Sequence, residues 1–374
     1  MSLRLAVDGR ELGAGVRTGI RRYTVEVLRA AATRGVECIA YVDRATGYAG
    51  APGVTVTTLG GFTQWWDQVV LPAALRRDQV DVFLSPYYKR PLSAPCPTVV
   101  TIHDLFFIGY PGRRRPLYDA AMTRLARLYA TGAGAVITDS EHSRRAIVER
   151  LGLAAERTVV IPVGLGAEFR PAVPSAAQRA RYGLGPGYAL YVGNFLPHKN
   201  LPRLLRAWVT LPEPLAAGLR LVLAGGARAG RPALEALVAS LGLGERVVFA
   251  GLVDDADLPA LYGGATAVVL PSLEEGFGLP ALEAMACGAP VVASRRGALP
   301  EVVADAGVLV DPEDESALAT ALARVLGSAD ERVSLVQRGL ARAAHFTGER
   351  TAGRVIDLLQ ATAARRPALA RSAG

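Results

Sequence analysis

Two short stretches of the 374-residue chain set ionisable side chains beside glycine turns in a way that suits anion and sugar chemistry. The first runs Leu270-Pro-Ser-Leu-Glu-Glu-Gly-Phe-Gly-Leu-Pro-Ala-Leu-Glu-Ala-Met-Ala-Cys-Gly288. An apolar strand ends at Leu270, a turn holds Gly276 and Gly278, and Pro280 suits the first turn of the following helix. Unpaired N–H groups at such a helix start favour an anion, phosphate above all. Glu275 precedes the turn and Glu283 lies about one turn inside the helix. A carboxylate only accepts hydrogen bonds, so it suits two adjacent hydroxyls, a ribose diol for Glu283 and a second sugar for Glu275. A plainer reading stands beside this one: a first-turn glutamate favours its own helix dipole.

The second stretch, Tyr191-Val-Gly-Asn-Phe-Leu-Pro-His-Lys-Asn200, is again a strand and a glycine turn leading to a helix. Asn200 is the expected N-cap, with Pro202 in the first turn and Leu201, Leu204, Leu205 and Trp208 as the buried face. Lys199 is one of only two lysines, the other being Lys89, among 42 basic residues. A lysine at this turn reads either as a compact charge for phosphate oxygens or as a solvated turn residue.

The elements that must position these groups alternate short apolar runs with amphipathic segments, the pattern of parallel α/β sheets. Strands are expected at 3–7, 36–42, 54–59, 80–84, 98–102, 135–138 and 158–161, then at 189–192, 219–223, 247–250, 267–270, 291–293 and 308–310. Helices are expected between them, as at 18–34 and 114–131, and again from Ser328 onward. Pro162 to Gly187 carries prolines at 162, 171, 174 and 186 that interrupt regular structure, so the domain boundary is placed near 171. The expected architecture is two doubly wound α/β domains, 1–171 and 172–374, facing a cleft that holds the site.

Composition narrows the classes. With 51% hydrophobic residues, 40 Gly and 24 Pro, the chain is not disordered, collagen-like or a disulfide framework. No secretory leader or membrane span is read. Cys38, Cys96 and Cys287 lie far apart and read as reduced, buried thiols of a cytoplasmic protein without structural zinc. Residues 1–171 hold 22 Lys+Arg against 15 Asp+Glu, and residues 172–374 hold 20 against 19. The basic excess of the first half, with Arg113-Arg114-Arg115, reads either as an anionic partner for that half or as a general bias toward arginine. Asp255-Ala-Asp257 is expected to cap a helix rather than hold a metal, and Gly13 to Gly19 is one residue too long for a dinucleotide fingerprint. His142 and His345 read as surface or packing residues.

Glu275-x7-Glu283 within EEGFGLPALEAMACGAPVVAS, together with VGNFLPHKN, resembles the retaining glycosyltransferases of family 4. TGIRRY (18–23), TIHDL (101–105), ITDSEHSRRAI (137–147), VVIPVG (159–164), GLVDDADLPALY (251–262) and GALPEVVADAG (297–307) follow in family order over nearly the whole chain. The resemblance implies the GT-B fold, with the terminal helices from about 346 packing back on the first domain. It implies transfer of a sugar from a nucleoside-diphosphate donor (GDP-, UDP- or dTDP-linked, with mannose as the family-level guess) to an acceptor hydroxyl, with anomeric configuration retained and no metal or other cofactor. Lys199 is then the diphosphate ligand, Glu275 meets the donor sugar together with the backbone of Gly276, Phe277, Gly278 and Leu279, and Glu283 takes the ribose. His103 reaches the donor sugar, Gly19 lines the acceptor side, and the backbone around Leu252 faces the base. Two positions depart from the family pattern: Asn194 stands where a second phosphate cation is common, and Gly348 where a tryptophan is usual.

The implied acceptor is a saccharide or lipid-linked saccharide, which places the protein in the cytoplasm, peripheral to the inner face of the membrane, with Arg113–Arg115 and the following helix on anionic lipid. Rival readings are a GT-B epimerase, a phosphorylase, for which Lys89 lacks a pyridoxal phosphate context, and a non-catalytic nucleotide-sugar binder. Nucleic acid is disfavoured by 6% aromatic content and the lack of a recognition motif.

Overall fold

The computed structural model describes residues 3–13, 19–43, 50–109, 115–226 and 230–365. Among the described residues thirteen strands form two sheets in which all pairs are parallel. The first contains β1 (Arg4–Asp8), β2 (Glu37–Val42), β3 (Val54–Thr58), β4 (Val82–Ser85), β5 (Thr98–Thr101), β6 (Ala135–Thr138) and β7 (Thr158–Val160), in the order β3-β2-β1-β4-β5-β6-β7. The second contains β8 (Gly187–Val192), β9 (Leu219–Ala224), β10 (Val247–Gly251), β11 (Ala267–Leu270), β12 (Val291–Ser294) and β13 (Val308–Val310), in the order β10-β9-β8-β11-β12-β13.

Continuous apolar runs make these strands, because a parallel sheet is covered on both faces. Ala267–Leu270 is buried at every position, as are Val82–Ser85 and Ala135–Thr138. Each strand begins and ends within two residues of the range read from the sequence. In both sheets the order reverses after the first strand, between β1 and β4 and between β8 and β11, and loops at the carboxyl ends flanking such a reversal diverge to leave a crevice.

The chain divides into two units, Met1–Gly109 with Arg115–Gly164 and Gly348–Gly374, and Leu165–Thr347. The second unit therefore starts before the expected boundary at 171. The reason is local: the Leu165 N–H donates to the Phe346 carbonyl at 2.9 Å, and Leu165 and Phe169 are buried. Helix Gly348–Ala364 packs on helix Gly19–Thr33, where Val355, Ile356 and Leu359 join Leu5, Val27 and Leu28 in one buried cluster. The proline-rich segment contains a helix that proline counting missed, Ala176–Tyr182. Its prolines lie outside it, a Ser175/Gln178 capping box opens it, and Gly183 closes it in the left-handed conformation.

Cys38, Cys96 and Cys287 are buried free thiols, and burial pushes Cys38 up to about 11 and Cys287 up to about 12. No helix among the described residues is long and apolar enough to cross a membrane. Arg113 and Arg114, most of the Gly13–Gly19 turn, and the last nine residues lie outside the described residues.

Candidate functional site

In the second unit, the loops after β8 and β11 bring Lys199 and Glu275 into direct contact. The Lys199 ammonium donates to both carboxylate oxygens of Glu275, at 2.7 Å to Oε1 and 2.9 Å to Oε2. Ser272 Oγ donates to the same Oε1 at 2.7 Å. The two charged side chains are 13% and 9% exposed, so the pair is largely withdrawn from open solvent. A charge pair of this kind is weakly screened, and its remaining N–H is a ready donor to an anion.

The loops are stitched to one another. The Leu273 N–H donates to the His198 carbonyl at 2.7 Å, and the Ala298 N–H to the Glu275 carbonyl at 3.0 Å. Gly297 adopts φ +63°, and a Cβ there would stand 2.6 Å from the Glu275 backbone N and O. Asn200 does not act as the expected N-cap. It adopts φ 60°, and its buried amide donates to the carbonyls of Pro271 at 3.0 Å and Pro312 at 2.7 Å, which ties the loops after β8, β11 and β13. His198 is buried, and burial with the adjoining Lys199 ammonium pushes its imidazole down to about 4, so it stays neutral.

Gly278, with φ +99°, opens helix Leu279–Ala286, whose first turn carries Pro280 and leaves the Leu279 N–H without an intrahelical partner. Phe277 is buried and meets Phe346 edge-on at 6.1 Å. Glu283 is buried one turn along, where Oε2 accepts from the Tyr262 hydroxyl at 2.8 Å. Asn194 is exposed and turns its side chain back to the Leu196 N–H at 3.3 Å, while its carbonyl accepts from Tyr191 at 2.6 Å. Leu252, just past β10, is largely exposed. Asp257 does not cap its helix: its carboxylate accepts from Tyr182 at 2.6 Å and Gln178 at 2.7 Å, and these bonds hold its pKa below the usual range. No group of three His, Cys, Asp or Glu suited to a metal ion occurs among the described residues.

In the first unit, His103 follows β5 and Asp139 follows the adjacent β6. His103 Nδ1 lies 2.7 Å from Asp139 Oδ2, and Ser143 donates to the His103 carbonyl at 3.0 Å. Burial pulls the imidazole pKa down, but the Asp139 carboxylate outweighs it and leaves the pKa raised. Gly19 is exposed at the start of its helix, and one turn on Tyr23 sets its ring edge-on to His103 at 5.6 Å.

Several of these partners were not singled out from the sequence: Ser272, Gly297, Tyr262 and Asp139. The signal for Asp139 was present, since TIHD and ITDS each place a polar pair at the end of one of two neighbouring buried strands. For Tyr262 and Gly297, spacing alone offers no signal.

Two family models divide the chain between them: "Glycosyltransferase Family 4" matches residues 17–169 and "Glycosyl transferases group 1" residues 176–342. The O-antigen chain mannosyltransferase B of Escherichia coli is 34% identical over 262 residues, which is 69% of each chain. Other relatives are longer; the match spans about a third of the E. coli serotype-specific mannosyltransferase WbdA, which is 30% identical. Among solved structures, the sucrose-phosphate synthase of Thermosynechococcus elongatus superposes with a TM-score of 0.79 at 24% identity, covering 97% of this chain and 99% of that one. Anabaena HepE in complex with UDP-glucose gives 0.77 at 21% identity, covering 96% and 100%. Both domain models matched in order, and a relative matched over two thirds of its length, complete what the paired sheets indicate: the chain has the GT-B fold and belongs to glycosyltransferase family 4.

Proposed function

We propose that the chain transfers a hexosyl group, of mannosyl type, from a nucleoside-diphosphate sugar to a hydroxyl of a saccharide or lipid-linked saccharide in cell-surface glycan synthesis. The observation that carries this reading is the Lys199–Glu275 ion pair at the reversal between β8 and β11. Its ammonium and the Leu279 helix start place positive potential where a diphosphate would leave, and a low-dielectric surround makes such fixed charges effective. Glu275 is then the group that orients a donor hydroxyl, Glu283 the group that takes the ribose, and His103 a donor to the transferred sugar. Retention follows in this reading because a departing phosphate oxygen takes the acceptor proton on the face it leaves. Charge neutralisation by Lys199 and backbone N–H groups makes a divalent ion unnecessary.

The mannosyl assignment draws on the O-antigen mannosyltransferases among the relatives, and the nucleoside-diphosphate donor on HepE, whose structure holds UDP-glucose. The test is a thermal-shift series with GDP, UDP, dTDP and ADP, with and without EDTA, followed by transfer from the matching sugar nucleotide and NMR assignment of the product anomer. A stabilising diphosphate whose effect survives EDTA, and an axial-to-axial product, support the reading. Inversion of the anomeric centre or an absolute need for metal refutes the mechanism.

A further inference from the structure

The proposed transfer uses one of the two lysines, Lys199, and leaves the other without a role. That other is Lys89, in a chain whose remaining basic residues are all arginine. It stands on the loop that follows β4, at the same end of the first sheet as His103, which follows the adjacent strand β5. Pro86 opens this loop, and its carbonyl lies close enough to the His103 imidazole to help raise its pKa. All of these residues belong to the first unit.

The loop is pinned on both sides of Lys89. Before it, the Tyr87 N–H donates to Ser85 Oγ at 3.3 Å, and the Tyr88 ring stacks on Phe107 with centroids 4.2 Å apart and meets Tyr129 edge-on at 6.2 Å. After it, the Arg90 guanidinium donates to the carbonyls of Tyr129 at 2.9 Å and Pro91 at 2.8 Å. Gln68 accepts from the Leu92 N–H at 2.9 Å and donates to the Arg90 carbonyl at 3.2 Å. The lysine is therefore carried on a fixed stretch of backbone.

The ammonium itself is committed to nothing. Lys89 is half-buried and makes no hydrogen bond or ion pair with any described residue. Its Nζ stands 5.7 Å from the centre of the Tyr88 ring, a contact that attracts a cation and takes none of its N–H groups. Burial pushes the Tyr88 hydroxyl up to about 12, so the phenol is neutral and is no counterion. Asp67 feels the Lys89 charge, but its buried carboxylate takes the Arg10 guanidinium at 2.9 Å. Drawing an ammonium partly out of water with no partner is unfavourable, and a bound anion offsets that.

Residue type narrows the anion. Arginine's planar fork suits bidentate partners, whereas an ammonium is a compact point charge with three rotatable donors, a match for a tetrahedral phosphoryl group. We infer that Lys89 binds a phosphoryl group of the acceptor, carried on its sugar or in a diphosphate link to a lipid carrier, and so selects phosphorylated acceptors over neutral ones. The inference rests on the proposed function for calling the ligand an acceptor, while its test needs no transfer.

Reductive methylation of the full chain with isotopically labelled formaldehyde keeps the positive charge of each amine and marks only Lys89, Lys199 and the amino terminus. Lys89→Arg and Lys199→Arg assign the NMR signals. Glucose, glucose 6-phosphate and butyl glucosyl diphosphate are then titrated in. Expected is a saturable shift of the Lys89 signal with a phosphorylated probe and none with glucose. A response to glucose 6-phosphate places the phosphoryl group on the sugar, and a response to the diphosphate alone places it in the carrier link. In unlabelled Lys199→Met, which lacks the donor-side cation, adding Lys89→Met should weaken binding of the effective probe by about tenfold or more. A Lys89 signal that no phosphorylated probe moves, or that glucose moves equally, overturns the inference. So does a Lys89→Met variant that lowers the thermal midpoint and leaves probe affinity unchanged, which assigns the ammonium to balancing Asp67. The expected Lys89 response without transfer from any sugar nucleotide upholds the phosphoryl site and counts against the proposed function alone.

Discussion

Glu275→Gln is expected to separate donor binding from turnover. The Lys199 ammonium meets both oxygens of Glu275 within 2.9 Å, so any phosphate that arrives must compete for an ammonium already engaged. A hydrogen bond to a charged group is worth about 1.5–3 kcal/mol net, and an amide retains only part of it. Releasing an amount near 1.4 kcal/mol to the phosphate tightens nucleoside diphosphate binding by about tenfold. The same change removes the charged acceptor for a sugar hydroxyl, and loss of one such pre-set contact lowers turnover by roughly 10²–10³. Lys199→Met is the control, because it removes the cation and should weaken diphosphate binding and transfer together. Calorimetric titration with the best diphosphate, beside initial rates of transfer, reads both quantities. If Glu275→Gln weakens diphosphate binding as much as Lys199→Met does, Glu275 holds the loop and does not tune the ammonium, and the reasoning fails.

Three further outcomes follow from the same geometry. His198 stays neutral down to about 4, whereas an unfolded histidine titrates near 6.5, so the unfolded chain binds the extra proton between those values and folded stability falls as pH drops through them. The component is at most about 3 kcal/mol, and the thermal midpoint of His198→Gln should fall less steeply over that window; parallel slopes would sink this account. For His103 the sign is opposite: its raised pKa gives stability that is fully present below about 6.5 and is lost as pH rises through the folded value. Asp139→Asn should therefore cost most at the acidic end, with the gap to wild type narrowing toward alkaline pH, and NMR titration should show the His103 pKa lowered. Gly297→Ala must place a Cβ against the Glu275 backbone in a left-handed conformation that costs about 1–2 kcal/mol. It should reduce transfer far more than it lowers the thermal midpoint.

The strands were legible because burial on both faces leaves only apolar residues at successive positions, and that pattern is local. The left-handed Gly183 and the Ser175/Gln178 box that delimit helix Ala176–Tyr182 are local too, but the count of prolines around them masked the signal. What spacing could not supply was pairing across the fold. Lys199 and Glu275 were each readable from their own turn, yet nothing in either turn says that one holds the other. Asn200 shows the same limit: a residue type that favours N-caps was drawn away by two carbonyls contributed from 71 and 112 positions further along. Asp257 was drawn away by Tyr182 and Gln178 in the same manner.

The topology explains why the two sheets, built in the same order, use their reversals differently. After β8 and β11 the loops deliver a lysine and a glutamate that pair with each other, the ammonium giving two of its N–H groups to the one carboxylate. At the equivalent place in the first sheet, β1 ends at Asp8, and its carboxylate is consumed by Arg10, which also takes Asp67 and lies under the Trp66 ring. A guanidinium held by two carboxylates and capped by an indole has little left to offer a ligand, and its removal leaves buried carboxylates uncompensated, a loss of about 3–5 kcal/mol. The polar chemistry of the first unit therefore moves along the sheet, to His103 after β5 and Asp139 after β6. The reversal itself becomes a fastening point for the helical turn that carries Trp66 and Asp67. In the proposed reading one fold element is a binding site in one unit and an anchor in the other, and the difference lies in how the strand-end cation is held: Lys199 by a single carboxylate, Arg10 by two carboxylates beneath an indole.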